Sequence, residues 1–188
     1  MGNRIIVCGG NGAGKSTLGR ELANALKYRF MDVEDYYFSK ENKDYDYQNA
    51  CSRDEVSKLL LKDLTEYEDF IFASVKGNYG DEVVSRFTHA VLVSVPKEER
   101  MKRVRDRSYQ KFGNRMLQGG DLFEKENRFF EMVEKRPEQD VENWLQSVRL
   151  SVIRVDGTQT VGENIRIISA RLATEAERRL YYNQDIHY

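Results

Sequence analysis

Glycines, one amine and two hydroxyls recur at fixed spacing in Gly9-Gly10-Asn11-Gly12-Ala13-Gly14-Lys15-Ser16-Thr17, directly behind the apolar run Ile5-Ile6-Val7-Cys8. The spacing is that of G-x-x-x-x-G-K-[ST], the Walker A phosphate loop. Its chemistry is anion binding. A strand delivers the chain into a loop whose N–H groups converge on phosphate oxygens, and a helix starts there with its positive dipole end toward the same anion. Gly9, Gly12 and Gly14 allow positive φ and close approach of the backbone, while Asn11 and Ala13 contribute main chain to the cradle. Lys15 reaches β- and γ-phosphates, Ser16 places a hydroxyl on Mg²⁺, and Thr17 continues the cradle into the helix. The pattern predicts nucleoside triphosphate binding.

A phosphate loop alone does not say what is done with the triphosphate, so further groups must decide. The acidic stretch Asp32-Val33-Glu34-Asp35 follows the second apolar run, where it would face the same crevice. Phosphoryl transfer needs a carboxylate that takes the proton of an attacking hydroxyl and another oxygen ligand for Mg²⁺. Asp32 is read as metal or substrate ligand and Asp35 as base, with Glu34 able to exchange with either. No N-K-x-D guanine signature and no D-x-x-G follows the third strand, which excludes the GTPase pattern. That strand, Phe70-Ile71-Phe72-Ala73-Ser74, also ends without an aspartate, and Asp69 stands at its opposite end.

Arginines supply the third element. Arg100, Arg103 and Arg107 share one helical face by i, i+3, i+7 spacing, and Lys111 and Arg115 follow. A guanidinium binds phosphate oxygens bidentately and stabilises charge on a departing γ-phosphoryl, a role assigned to Arg107 and Arg115. Gly113, Gly119 and Gly120 make 108–121 a candidate mobile lid able to exclude water. Glu98, Glu99 and Asp106 are close enough in sequence to neutralise some of this face.

Positioning these groups calls for alternating short strands and longer helices, the signature of a parallel sheet covered on both faces. Strands are expected at about 4–8, 28–32, 69–74, 90–95 and 152–155. Helices are expected at about 15–27, 53–67, 81–87, 97–109, 122–135 and 138–147, with a last one from Val161. The segment 34–52 is tyrosine-rich and aperiodic and is expected to wrap the rim. The tail from Arg179 also lacks a period. At 188 residues with 40% hydrophobic content the chain suits one domain, 1–188. Thirty basic residues against 31 acidic ones give a net charge of −1, so no global field draws nucleic acid or anionic membrane. Two cysteines without a C-x-x-C pattern read as reduced thiols. No apolar stretch approaches a membrane span, and the start enters a core strand at once, so a cytoplasmic location is expected. The sequence is silent on oligomeric state.

Together these residues resemble the P-loop kinases of small metabolites, the adenylate, nucleoside, shikimate and gluconate kinase group. Asp32-Val33-Glu34 stands where shikimate kinases carry D-x-D. The resemblance covers roughly 3–170 and implies a three-layer α/β fold with a five-stranded parallel sheet in order 2-3-1-4-5, ATP as donor, and Mg²⁺ held with Ser16 and Asp32. It further implies an adenine resting against Arg103 or Arg107 and the loop Asp156-Gly157-Thr158-Gln159. The chain departs from adenylate kinases in lacking Asp-Gly-Phe-Pro-Arg after the third strand, where Ser74-Val75-Lys76-Gly77-Asn78 stands. Lys76 and Arg53 are candidate anchors for an acceptor's anionic group, and Tyr36, Tyr37, Tyr45 and Tyr47 are candidate stacking partners or packing for the rim. The expected activity is phosphoryl transfer from ATP to a small-molecule acceptor; the alternative is a nucleotide-binding regulator or slow ATPase.

Overall fold

A computed structural model describes residues 2–38 and 51–184. Five strands, β1 (Arg4–Cys8), β2 (Arg29–Asp32), β3 (Phe70–Ala73), β4 (His89–Ser94) and β5 (Ser151–Asp156), form one sheet in the order β2-β3-β1-β4-β5. Every pairing is parallel. β1 is central, and Ile5, Ile6, Val7 and Cys8 are fully buried because both faces of the strand are covered. Alternation divides them: Ile5 and Val7 join a core with Leu18 and Leu22 of α1 (Lys15–Leu26) and Ile168 of α8 (Val161–Gln184). Ile6 and Cys8 join the opposite core with Leu60 and Leu64 of α3 (Arg53–Glu66) and Trp144 of α7 (Asp140–Ser147). These two cores make the three layers.

The remaining helices are α2 (Val33–Tyr37), α4 (Asp81–Val84), α5 (Lys97–Phe112) and α6 (Phe123–Lys135). Pro96 caps α5, where its missing N–H costs nothing. A smaller core of Met101, Val104, Phe130 and Val133 joins α5 to α6. Three expectations change. The segment after β2 opens with the helical turns of α2 because the Asp32 side chain accepts the Glu34 N–H at 3.1 Å and caps it. Within 108–121, helix α5 continues to Phe112 and passes into a 3-10 turn, Gly113–Met116, in place of an open loop. The tail to Gln184 is helical, as the end of α8. Tyr45 and Tyr47, with most of the 34–52 rim, lie outside the described residues.

Helix α1 ends on Lys27 at φ 60°, a left-handed conformation that suits glycine better. Lys27→Gly is therefore expected to raise stability by about 0.5–1 kcal/mol in urea unfolding, the Cβ strain relieved exceeding the added chain entropy.

Candidate active site

The carboxyl ends of the parallel strands converge on one crevice, the place where open α/β sheets bind ligands. β1 feeds the phosphate loop, β2 ends in Asp32, β3 leads to Ser74, and α5 descends from β4 carrying Arg107. A cleft of about 780 Å³ spans these groups, lined at one end by Asn11, Gly12 and Gly14 through Thr17 and at the other by Arg53, Lys76 and Tyr79. The loop has little freedom for side chains. At Gly12, φ is 80° and a Cβ would stand 2.3 Å from the Arg100 carbonyl oxygen, so only glycine fits. Gly14 has φ 90° and caps α1 without a side chain.

Lys15 is half-buried and donates from Nζ to the Gly10 carbonyl at 3.0 Å, which folds it back over the loop. Burial pushes its ammonium down from 10.5 to about 8, Glu34 and Asp32 oppose that fall, and Arg107 adds to it. Asp32 is 8% exposed and Glu34 is exposed, yet both line the cleft. Ser74, 2% exposed, holds its hydroxyl between the Lys76 carbonyl at 3.0 Å and the Tyr79 hydroxyl at 3.1 Å. Asp69 accepts the Asn3 N–H at 2.6 Å, at the far end of the sheet, so the third strand brings no carboxylate to the crevice. Cys8 lies beneath the loop with its thiol pushed up to about 12, chiefly by burial, and is inert.

A family model described as an AAA domain matches residues 5–128. The chain belongs to that AAA domain family. A curated relative of this AAA-family chain, the uncharacterised protein YqaC of Bacillus subtilis (strain 168), is 29% identical over 173 residues, covering 88% of this chain and 94% of its own. Among solved structures, a gluconokinase from Sinorhizobium meliloti 1021 aligns with TM-score 0.56 and 18% identity over 96% of this chain and 97% of its own. Shikimate kinase from Acinetobacter baumannii in complex with shikimate aligns with TM-score 0.55 and 18% identity over 92% and 94% of the two chains. The AAA-family chain thus has the fold of P-loop small-molecule kinases, with the strand order the resemblance implied.

Within this AAA-family domain the expected site residues part company. Lys15, Ser16, Thr17, Asp32, Glu34, Tyr37, Arg53, Lys76 and Arg107 all line the cleft. Asp35 does not: it is exposed on α2, one position past the carboxylate that faces inward. Tyr36 also turns away, its hydroxyl donating to Asp63 at 2.7 Å and its ring set edge-on to Phe72. Arg115 forms a bidentate pair with Asp121, at 3.0 and 2.7 Å, outside the cleft lining. Arg103 donates to the Gly157 carbonyl at 3.1 Å and so ties α5 to the loop after β5. That loop closes on itself, with Asp156 accepting from the Thr158 N–H at 2.8 Å, and Gly157 packs against Ala13 of the phosphate loop. Gly9 faces a second, smaller cavity behind the loop.

Two arginines matter more than their sequence positions announce. Arg100, whose side chain is 14% exposed, donates to the Val95 carbonyl at 3.1 Å and to the Asn11 carbonyl at 3.4 Å, bracing the loop from behind. Arg136, just past α6, donates to the Asn11 side-chain oxygen at 2.8 Å and lines the cleft. A lone arginine before Pro137 carries no sequence signal of this kind.

Lys15 is expected to make nucleotide binding pH-dependent. Its folded value of about 8 lies below 10.5, so the unfolded chain binds more protons between those limits. The burial penalty is therefore present in full below about 8 and is relieved as pH rises, which makes the free fold gain stability through that window. Triphosphate favours the ammonium, so binding above pH 8 takes up a proton. ATP affinity is expected to be about tenfold weaker at pH 9 than at pH 7 by calorimetry, with the slope lost in Lys15→Met. An unchanged affinity at pH 9 refutes the role of this amine.

Proposed function

We propose that this protein transfers the γ-phosphoryl group of ATP to a small-molecule acceptor. What carries the reading is the continuity of the cleft: past the phosphate loop it extends by the end of β3 to Arg53, Lys76 and Tyr79, leaving room for a second substrate. A simple ATPase needs space for water alone. The kinase fold shared with the gluconokinase and shikimate kinases supports the same class of reaction.

The oxygen donors fit Mg²⁺. Ser16, Asp32 and Glu34 line the cleft, and hard oxygen ligands with several positions left to phosphate and water are what Mg²⁺ prefers. Among the described residues no group of three or more His, Cys, Asp or Glu forms a metal site, which accords with an ion that arrives with the nucleotide. Ser16 and Asp32 would hold it, and when bound it neutralises charge on the β- and γ-phosphates. The chain's own groups do the rest. Lys15 leaves the Gly10 carbonyl for phosphate oxygens, Arg107 adds a second cation beside it, and N–H groups at the start of α1 face the anion. Glu34, beyond Asp32 on the acceptor side, takes the proton as the acceptor hydroxyl oxygen bonds to phosphorus and the bond to ADP breaks. Arg103, Gly157 and Thr158 frame the side of the loop where the base would rest.

The test is ADP formation by purified protein with Mg-ATP, alone and with nucleosides, nucleoside monophosphates, sugars and hydroxy acids. Acceptor-dependent ADP is expected. Nucleotide binding with ADP release that no acceptor accelerates would instead favour a slow ATPase or regulator, the reading for which Ser74 in place of an aspartate speaks.

A further inference from the structure

One guanidinium stands behind the phosphate loop, outside the cleft that a nucleotide would fill. Arg100, in the first turn of α5, lines a separate cavity of about 360 Å³ with Gly9, Gly10 and Val95, and it has no place in the lining of the larger cleft. Its side chain is 14% exposed and makes two hydrogen bonds, from Nε to the Val95 carbonyl at 3.1 Å and from Nη1 to the Asn11 carbonyl at 3.4 Å. The carboxylate paired with it, Glu138, is 3.7 Å from Nη2 and 59% exposed, so solvent screens that attraction. What the guanidinium chiefly does is bridge two main-chain carbonyls with a planar fork.

The loop is packed tightly on this residue from both sides of Asn11. A Cβ on Gly10 would stand 2.8 Å from the Arg100 Cζ, and one on Gly12 would meet the Arg100 main-chain carbonyl. Gly10 is therefore glycine because the guanidinium fills the space behind it. Peptide geometry carries this contact through to the cleft. The peptide joining Asn11 to Gly12 is trans and planar, so its C=O and N–H point in opposite directions. Arg100 holds the C=O at the rear, which sends the Gly12 N–H to the front, where Gly12 lines the nucleotide cleft and not the rear cavity. Among the described residues no backbone carbonyl accepts from that N–H, so it stands as a donor for an anion.

We infer that Arg100 is a positioning residue: by holding the Asn11 carbonyl behind the loop, it aims the Gly12 N–H at a phosphate of the bound nucleotide. It touches no substrate itself. Without the fork the peptide between residues 11 and 12 can rotate, because glycine opposes rotation less than any other residue, and the N–H then turns from the anion for part of the time. The inference requires nucleotide binding but no transfer to an acceptor, so a fruitless acceptor screen leaves it standing.

The test uses the full chain with Mg²⁺ and ADP, which carries the phosphates that loop N–H groups cradle. Arg100→Met is expected to bind ADP at least about tenfold more weakly by calorimetry, the range of one hydrogen bond to a charged partner. In nitrogen–proton correlation spectra the Gly12 amide proton is expected to move downfield when ADP saturates the parent, and to lose most of that movement in saturated Arg100→Met. Gly10→Ala keeps the charge but pushes the guanidinium off the Asn11 carbonyl. It is expected to weaken ADP binding to a similar extent, with little further loss in the double variant. Arg100→Lys, which keeps one donor group and no fork, is expected to bind about fivefold more weakly than the parent. Parental ADP affinity in Arg100→Met, or in Arg100→Lys should the first variant not fold, overturns the inference. So does a Gly12 amide that moves equally in parent and variant, or a Gly10→Ala loss that adds in full to that of Arg100→Met. A parent that binds no ADP overturns this inference together with the kinase reading, whereas ADP binding governed by Arg100 with no acceptor phosphorylated overturns the kinase reading alone.

Discussion

Lys15→Ala is expected to lower turnover about 10³-fold, or about 4 kcal/mol of transition-state stabilisation, while the free protein remains folded. The ammonium is the one cation within the phosphate loop itself, and its bond to the Gly10 carbonyl folds the side chain back over the loop. Its value of about 8 shows that this charge is held against burial. A group kept at such a penalty stabilises something other than the free fold. The variant should thus unfold at no lower urea concentration than the parent at pH 7, and it should lose catalysis. Both are read on one preparation, turnover by ADP release and stability by urea unfolding. Turnover within tenfold of the parent would remove Lys15 from the mechanism, and a destabilised fold would give its burial a structural purpose instead.

How far the sequence reveals such a site depends on whether the determinants are local. The phosphate loop is local: strand, turn and helix are contiguous, so the residue types at 9–17 specify the cradle that the structure shows. The parallel sheet was legible for a related reason, while its strand order followed from the family resemblance alone. Ile5 to Cys8 and Ala90 to Val93 are unbroken apolar runs, and such runs belong inside parallel sheets buried on both faces. The arginine helix was legible only in part. Periodicity places Arg100, Arg103 and Arg107 on one face, but what each touches depends on the segments packed against that face. Arg100 braces the loop, Arg103 reaches the turn after β5, and Arg107 lines the cleft. Arg115 illustrates the opposite limit, since its partner Asp121 comes close only because a 3-10 turn folds the glycine-rich connection back on itself. Arg136 reaches Asn11 across 125 positions of sequence, a separation at which no spacing rule operates.

The carboxylates after β2 give the sharpest prediction, because the sequence favours Asp35 as base whereas only Asp32 and Glu34 line the cleft. Read as a string, 32, 34 and 35 are interchangeable acids at a strand end. The structure separates them by one hydrogen bond: Asp32 accepts the Glu34 N–H, α2 starts there, and its turn carries Asp35 away from the cleft that Asp32 and Glu34 line. Glu34→Gln is accordingly expected to lower kcat about 10²-fold with ATP affinity changed little, since proton transfer by a placed base contributes in that range. Asp35→Asn should change kcat by less than about twofold, because an exposed carboxylate outside the cleft reaches no reacting atom. Asp32→Asn should weaken the dependence on Mg²⁺ concentration as well as kcat, because that side chain both caps α2 and faces the phosphate loop. The three variants form one experiment in which Mg²⁺ titration distinguishes the metal-facing acid from the proton acceptor. A large loss in Asp35→Asn with Glu34→Gln unaffected would mean that α2 rotates when substrates bind, and the proton would then be carried by Asp35.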